Sequence, residues 1–367
     1  MSAVASPLLP VYPPTTVTFV EGDGARLVDD TGREYLDFCA GIAVVALGHR
    51  HPAPLAAAAE QLGKLWHASN LFGTEPQREL AARLSERFGG AQSFFCNSGA
   101  EAVEAAVKYA RKATGKTGIV AVEGSFHGRT TGALAATGQP AKRAPFEPLL
   151  PATFVPPNDV AALEAAIGDD TALVILEPVM GEGGVVPLDA EFVAAAFGGD
   201  ALVCLDEIQT GVGRTGTFFC FEQLGVRPHL VTMAKGLANG LPVGALLVAD
   251  EAAGAFAPGD HGSTFGGNPV ACAAACAVVD QVDEALLASV DRVGNRLLQS
   301  LGTLGRARGR GLLLGLELDR PVPVQELLEA GLVVSTATPN VLRLTPPLTV
   351  TDAEADEALA IIREVLA

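Results

Sequence analysis

The sequence predicts an α/β fold built around a mostly parallel β-sheet. Short apolar runs recur along the chain and do not alternate with polar residues, which is typical of strands covered on both faces. Alanine-rich helical segments separate these runs, and alternating strands and helices indicate a parallel sheet. The runs are AQSFFC (91–96), GIVAVEG (118–124), ALVILEP (172–178), ALVCLDE (201–207), LVTMAK (230–235) and VGALLVAD (243–250).

The two ends of the chain have a different pattern. Residues 17–45 alternate around GDG and DDTG turns, which predicts an antiparallel meander. Residues 310–348 again contain short strands, and an amphipathic helix, DAEADEALAIIREVL, closes the chain. A chain of 367 residues exceeds what one hydrophobic core usually organises, so two domains are expected. We predict a small α+β domain from both termini (1–50 and 296–367), a large α/β domain (51–265) and a connecting helix (266–295).

Composition limits the classes of function. A net charge of −17 argues against nucleic-acid binding, which needs a basic surface, but one or two local arginines can still hold a small anionic substrate. No apolar run approaches the roughly 20 residues that cross a bilayer, so no membrane association is expected. The N-terminus, MSAVASPLLPVYPPTTV, lacks a basic region before its apolar residues, which argues against a signal peptide. A cytoplasmic location is expected.

The six cysteines are scattered, without a CxxC pair or a Cys/His ladder. This pattern argues against a zinc site and against a disulfide framework. We expect buried, reduced thiols and no metal site.

The segment FFCNSGAEAVEAAVKYAR predicts a strand, a polar turn and a long helix. Ser98 would lie at the N-cap, with the amides of Gly99 and Ala100 at the start of the helix. A helix N-terminus binds anions well, phosphate in particular. An ordinary serine cap is the other interpretation of the same residues.

Asp206 and Glu207 follow a strongly apolar strand, at the edge where open α/β sheets bind their ligands. An ionised carboxylate there needs a partner, because burying it alone is costly. Three partners are compatible with the sequence: a salt bridge, for which Arg214 is the nearest cation along the chain, a metal ion, or the protonated ring nitrogen of a cofactor.

Lys235 ends another apolar strand, in LVTMAKGLANGLPVGA. Lysine is almost never fully buried without a partner. It could form an ion pair with Asp206. Alternatively, desolvation lowers its pKa so that the amine can form an imine with a carbonyl group.

The loop EGSFHGRTTGA carries an aromatic ring, an imidazole and a guanidinium within four residues: Phe126, His127 and Arg129. Phenylalanine can stack on a planar ring, and arginine can bind a carboxylate with two hydrogen bonds.

Two later segments add candidate ligands. In HGSTFGGNP, Ser263 and Thr264 could supply hydroxyl groups to a phosphate. In VLRLTPPL, Arg343 lies within an apolar strand and needs an anion, which could be an acidic side chain or a substrate. Glu182, in EPVMGEGGVVP, is the acidic residue best suited to pair with it.

Together, and in this order, these segments resemble the class III (ω-) aminotransferases, which are pyridoxal-phosphate enzymes of fold type I. The resemblance runs nearly end to end, from GREYLDFCAGIAVVALGHRHP through NSGAEA, FHGRT, LDEIQTGVGRTG, MAKGLANGLPVGA and HGSTFGGNP to VLRLTPPL. It implies an aspartate aminotransferase-like fold with a central seven-stranded sheet, pyridoxal 5'-phosphate as the cofactor, and a homodimer with the site at its interface.

The resemblance also implies roles for individual residues. Lys235 would bond to the cofactor aldehyde and act as the base, and Asp206, the second catalytic residue, would keep the pyridine nitrogen protonated. Phe126 and Ile208 would sandwich the ring, and Gln209 would approach its phenolic oxygen. The expected cofactor-binding residues are Ser98, Gly99, Ala100, Phe126, Asp206, Glu207, Ile208, Gln209, Lys235 and, from the partner subunit, Thr264.

For the substrates, the resemblance implies that Arg129 binds the carboxylate far from the reacting carbon. Arg343 would bind the α-carboxylate of glutamate or 2-oxoglutarate, and Glu182 would cover Arg343 when the other substrate is bound. Ser263 would also touch the substrate. CAGIAVVALGH lacks a tyrosine for a free α-amino group, which favours acetylornithine as the donor. The alternatives are ornithine, succinylornithine, succinyl-diaminopimelate or 4-aminobutyrate as donor, an aminomutase, or a silent cofactor-binding regulatory protein.

Overall fold

The computed structural model describes residues 8–13 and 15–367, so the first seven residues of the predicted segment 1–50 and position 14 lie outside the described residues. The strands are β1 (Phe19–Asp23), β2 (Arg26–Asp29), β3 (Glu34–Asp37), β4 (Ala91–Cys96), β5 (Gly118–Val122), β6 (Ala152–Val155), β7 (Thr171–Leu176), β8 (Val179–Met180), β9 (Val186–Pro187), β10 (Leu202–Asp206), β11 (Leu230–Met233), β12 (Gly244–Ala249), β13 (Arg306–Arg310), β14 (Leu313–Glu317), β15 (Leu332–Val333), β16 (Ser335–Thr338) and β17 (Val341–Leu344).

The helices lie mainly between these strands. They are α1 (Ala40–Ala43), α2 (Pro52–Leu62), α3 (Glu75–Phe88), α4 (Gly99–Thr114), α5 (Thr131–Ala136), α6 (Pro140–Arg143), α7 (Val160–Ala166), α8 (Ala190–Ala195), α9 (Pro269–Gln281), α10 (Glu284–Leu301), α11 (Val324–Glu329) and α12 (Asp352–Leu366). Short 3-10 helices cover Ala144–Phe146, Cys220–Leu224, Lys235–Ala238 and Asp250–Ala252.

The central sheet has seven strands in the order β4-β12-β11-β10-β7-β5-β6. The pairs among β11, β10, β7, β5 and β6 are parallel, and β12 runs antiparallel to both of its neighbours. All of β7 and β12 is buried, as expected for strands covered on both faces. The predicted mostly parallel sheet of seven strands is therefore confirmed.

The register of this sheet brings three strand ends to one edge. Leu205 of β10 is paired with Leu176 of β7, and Asp206 is paired with Thr232 of β11. The residues that follow β7, β10 and β11 therefore lie side by side at the carboxyl edge, where open α/β sheets place their ligands.

The two ends of the chain meet in a second core. β15, from the C-terminal part, pairs in parallel with β3, from the N-terminal part, and β13, β14, β17 and β16 form another sheet. Leu36 and Phe38 pack in one hydrophobic cluster with leucines of α10, β14 and β17. The predicted domain boundaries remain a prediction, but segment 266–295 contains two helices instead of one, since the chain breaks between α9 and α10.

An unusual turn follows β3. Ala40, Gly41, Ile42 and Ala43 have φ values of 48°, 65°, 68° and 60°, so α1 is one turn of left-handed helix. L-amino acids avoid this conformation, at about 1–2 kcal/mol per residue. The turn leads into Val44, which borders the large cavity described below.

The described residues contain no helix that is long and apolar enough to span a membrane. The same residues contain no group of three or more His, Cys, Asp or Glu side chains arranged to hold a metal ion. All six cysteines are free thiols.

Candidate active site

A cavity of about 380 Å³ opens at the carboxyl edge of the central sheet. The loops that follow β4, β5, β7, β10 and β11 form its walls. Nine of the residues predicted from the sequence line it together: Ser98, Gly99, Ala100, Phe126, Arg129, Asp206, Ile208, Gln209 and Lys235.

One end of the cavity is the start of α4. Ser98 is the N-cap in extended conformation, and its hydroxyl accepts a hydrogen bond from the amide of Glu101 at 3.3 Å. The amides of Gly99 and Ala100 have no acceptor within the helix, because the first N–H groups of a helix have none. A Cβ on Gly99 would lie 2.7 Å from Ile208 Cδ1, so a larger residue here would force the Ile208 side chain to shift. This end can bind a phosphate.

Asp206 is buried and held by three donors. His127 Nδ1 lies 2.7 Å from its Oδ2, and Thr232 Oγ1 (3.0 Å) and the amide of Ile208 (3.2 Å) donate to its Oδ1. The salt bridge with Arg214 that the sequence left open is wrong. The Arg214 guanidinium instead donates to the carbonyl oxygens of Leu312 and Pro346.

His127 and Glu177 complete a buried cluster around Asp206. Burial alone would lower the pKa of His127, but the hydrogen bond and charge of Asp206, with the charge of Glu177, outweigh it and raise this pKa. Burial raises the pKa of Glu177 to about 7, with Asp206 acting in the same direction and His127 opposing it. The Nε2 atom of His127 is buried without a hydrogen-bond partner.

Lys235 follows β11 on a left-handed residue, with φ of 43°. It forms no ion pair with Asp206, although both line the cavity. Desolvation lowers the pKa of Lys235, and the positive charge of Arg343 lowers it further. The amine is therefore easier to deprotonate than an ordinary lysine, and a neutral amine is the nucleophilic form.

Arg343 lies in β17 with its side chain buried. Its Nη1 forms an ion pair with Glu182 at 2.5 Å and donates to Gln209 Oε1 at 3.2 Å. Its Nε donates to Ser335 Oγ at 3.1 Å. The anion that the sequence required for this arginine is thus Glu182.

Among the predicted substrate and phosphate residues, Arg129 lines the cavity, whereas Ser263 and Thr264 lie outside its lining. Arg129 is exposed, with its Cζ 5.7 Å from the centre of the Phe126 ring. Ser263 Oγ accepts from Asn97 Nδ2 at 3.2 Å, and Thr264 is exposed. Within this chain, the residues that line the cavity do not include Ser263 or Thr264.

The cofactor-binding role predicted for Glu207 does not fit its position. Its carboxylate is buried, accepts from Thr210 Oγ1 and from the amide of Phe221 (2.9 Å), and does not line the cavity. The reason is the alternation of side chains along a strand: Asp206 faces the cavity, so its neighbour faces away.

Four residues near the site had no role in the sequence prediction. His127 was noted on its loop, but its contact with Asp206 joins segments 79 residues apart. Thr232 lies inside an apolar strand, and Lys142 Nζ lies 4.7 Å from the centre of the Phe126 ring. Glu177 had a usable signal, because it ends an apolar run as Asp206 does.

A helix N-terminus, a buried acid and a desolvated lysine line one cavity, and a covered arginine contacts Gln209 in its wall. Together they define a site for a phosphorylated carbonyl cofactor and an anionic substrate. The family model for class III aminotransferases matches residues 10–366. The chain belongs to this family, and it is a pyridoxal-phosphate-dependent transaminase of fold type I.

Relatives agree with this assignment over nearly their whole length. Acetylornithine aminotransferase from Bacillus anthracis is 46% identical, covering 98% of this chain and 97% of that protein. The Mycolicibacterium smegmatis protein of the same name is 49% identical, covering 97% and 95%. Among solved structures, N-acetylornithine aminotransferase from Stenotrophomonas maltophilia K279a has a TM-score of 0.83 at 36% identity, covering 96% of each chain. Ornithine aminotransferase from Toxoplasma gondii ME49 has a TM-score of 0.93 at 31% identity, covering 98% and 92%.

The residues around the cavity fit pyridoxal phosphate. Free amides at the start of α4 suit the phosphate, a buried carboxylate suits a protonated ring nitrogen, and a desolvated amine suits an aldehyde. The unpartnered Nε2 of His127 adds a buried polar atom beside the same carboxylate.

The raised pKa of His127 leads to a prediction for pH and stability. The protonated imidazole stabilises the fold fully below 6.5, its ordinary pKa, and the contribution is lost as pH rises through the higher pKa of the folded state. We expect the His127→Gln variant to lose more unfolding free energy, relative to wild type, at low pH than at high pH. Urea unfolding across the neutral range measures this, with exposed His67→Gln as the control. A difference that stays constant with pH would contradict it.

Proposed function

We propose that this enzyme transfers the δ-amino group of N2-acetylornithine to 2-oxoglutarate, giving N-acetylglutamate 5-semialdehyde and glutamate, a step of arginine biosynthesis. The single observation that carries the proposal is the ion pair of buried Arg343 with Glu182, next to Gln209, which lines the same cavity as Lys235. Such a pair can present a cation to one substrate and hide it from the other. The relatives at 46% and 49% identity are acetylornithine aminotransferases, which supports this choice of substrates.

Pyridoxal phosphate, when bound, supplies an aldehyde to carry the amino group and a ring that withdraws electrons from the reacting carbon. We propose that the amides of Gly99 and Ala100, with Ser98, bind its phosphate. Asp206 would hold a proton at the pyridine nitrogen, because its carboxylate is buried and kept in place by His127. Phe126 and Ile208 would lie on the two faces of the ring, and Gln209 beside its phenolic oxygen.

Lys235 is the residue that would move the proton. A general base works best when its pKa lies near the working pH, and desolvation brings the pKa of this lysine down toward that range. Its Nζ would take a proton from the reacting carbon of the donor and deliver it across the amino nitrogen, to the carbon that the cofactor aldehyde supplies.

The two arginines would distinguish the two substrates. Acetylornithine carries its reacting amine far from its carboxylate, whereas glutamate carries the two side by side. Arg129, exposed at the cavity mouth, would bind the distal carboxylate of either substrate, and Ser263 would contribute a hydroxyl. Arg343 would bind the α-carboxylate of glutamate after Glu182 has moved away, and Glu182 would cover it again for acetylornithine.

The wall formed by the left-handed turn favours an acylated donor. Val44 lines the cavity there and offers no polar group to a free α-amino group. Ornithine remains the second candidate, because the ornithine aminotransferase from Toxoplasma gondii ME49 has the TM-score of 0.93.

We also propose a cytoplasmic homodimer with the site at its interface. Six free thiols suit a reducing compartment. Large apolar side chains are exposed on two segments that hydrogen bonds join, namely Trp66, Leu71 and Phe72 on one and Phe265 on the other, and exposed apolar surface of this kind marks contact sites. Thr264, next to Phe265, would reach the phosphate of the partner subunit. Sedimentation of the holoenzyme as a monomer at assay concentrations would contradict the dimer.

A panel of donors tests the proposed function. With 2-oxoglutarate as acceptor, we expect the highest kcat/KM for acetylornithine, above ornithine, succinylornithine, succinyl-diaminopimelate and 4-aminobutyrate. Preference for unacetylated ornithine would overturn the substrate assignment.

The Lys235→Ala variant should lose the yellow colour and fall at least about a hundredfold in rate, as loss of a general base does, whereas exposed Lys64→Ala should not. Wild-type turnover by Lys235→Ala would overturn the mechanism.

Separate half-reactions test the role of Arg343. Arg343→Gln removes the cation for the α-carboxylate of glutamate, so kcat/KM for glutamate should fall about tenfold to a hundredfold. The acetylornithine half-reaction should change little, because Arg343 is covered there. Stopped-flow absorbance with each substrate alone measures both values, and exposed Arg306→Gln is the control. Equal losses of kcat/KM in the two half-reactions would rule out the proposal that Arg343 binds glutamate and not acetylornithine.

A further inference from the structure

Glu177 is a buried carboxylate at the cavity that the proposed reaction leaves without a role. It follows Leu176, the last residue of β7, whose partner in β10 is Leu205. Glu177 and Asp206 therefore occupy the same level of two adjacent strands. Both side chains are buried and both line the cavity.

The two oxygens of Glu177 bind two different loops. Oε1 accepts from the amide of Phe126 at 2.8 Å, and Oε2 accepts from the amide of Gly181 at 3.1 Å. Within the described part of the chain, no lysine or arginine forms an ion pair with this carboxylate. Burying a carboxylate is costly, and the two backbone amides are the hydrogen-bond donors that hold it in place.

Gly181 connects this carboxylate to Arg343. Its carbonyl oxygen accepts from Arg343 Nη1 at 3.3 Å, and the next residue is Glu182, which forms the ion pair. A Cβ on Gly181 would collide with the side-chain amide of Gln209, so the turn is packed tightly in place. The position of this turn therefore fixes where the Glu182 carboxylate can reach.

We propose that Glu177 is a positioning residue that ties the loop of Phe126 to the turn of Glu182 and so sets how tightly Glu182 covers Arg343. This rests on the function proposed above. Phe126 belongs to the loop that carries Arg129, so one carboxylate links the elements that would hold both substrate carboxylates. Loosening the turn leaves Arg343 less covered, which disfavours acetylornithine relative to glutamate.

Two substitutions separate the effect of the bridge, meaning the pair of hydrogen bonds from the amides of Phe126 and Gly181 to Glu177, from the effect of the negative charge of Glu177. Glu177→Gln keeps the shape but replaces one accepting oxygen with an NH2 group, which cannot accept from an amide. Glu177→Asp keeps the charge but is one methylene shorter, so it cannot reach both loops. Both variants break the bridge, and only Glu177→Gln removes the negative charge beside His127. Exposed Glu123→Gln, near the same loop, is the matched control.

Hydrogen–deuterium exchange of the holoenzyme tests the bridge directly. In both variants we expect faster deuterium uptake in peptides covering 124–128 or 179–184, and no change in Glu123→Gln. We also expect the ratio of kcat/KM for acetylornithine to that for glutamate, from separate half-reactions, to fall about tenfold, as for loss of one charge-assisted hydrogen bond.

The outcomes distinguish this proposal from the proposed function. Unchanged exchange in both variants would overturn the bridge, whatever the activity. Deuterium exchange could become faster while the ratio of the two kcat/KM values stays unchanged, or the ratio could change in Glu177→Gln alone. Either result would show that the Glu177 hydrogen bonds do not set how tightly Glu182 covers Arg343. If the wild-type enzyme fails to react with acetylornithine, the proposed function fails, and the exchange measurement still decides the bridge.

Discussion

The site depends on keeping an acid and an amine apart at neighbouring strand ends. Asp206 and Lys235 both line one cavity, and burial favours an ion pair between them. The pair does not form, because His127, Thr232 and the amide of Ile208 already satisfy the carboxylate. Asp206 is thus fixed at the cavity without Lys235, and desolvation, with no anion in contact to offset it, lowers the pKa of Lys235.

Strand ends were the part of the site that the sequence could predict. Asp206 and Lys235 each end an apolar run, and the carboxyl ends of parallel strands meet at one edge. Arg343 was predictable for a related reason, since a cation inside an apolar strand requires an anion. The same rule, applied to Glu177, would have found a further residue. The alternation of strand side chains would have excluded Glu207.

Contacts between distant segments could not be predicted in this way. His127 and Asp206 are 79 residues apart, and only the folded sheet brings them together. Arg214 is close to Asp206 along the chain, yet its guanidinium binds carbonyl oxygens of Leu312 and Pro346. The left-handed turn at Ala40 has no local signal either, because alanine disfavours that conformation and tertiary packing has to impose it.

Several cations lie near the site although the whole chain is acidic. The net charge is −17, yet Lys142 and Arg129 lie near the ring of Phe126, and buried Arg343 contacts Gln209 beside the cavity. Interactions between charges fall off within about 8–10 Å at physiological salt, so nearby cations dominate binding at the cavity. The anionic surface repels dicarboxylates only weakly at that range, whereas buried Arg343 acts in a medium of low dielectric constant. Under the proposed function, substrate selection would therefore depend on which arginine is uncovered, and Glu182 would control this without any change in the overall charge.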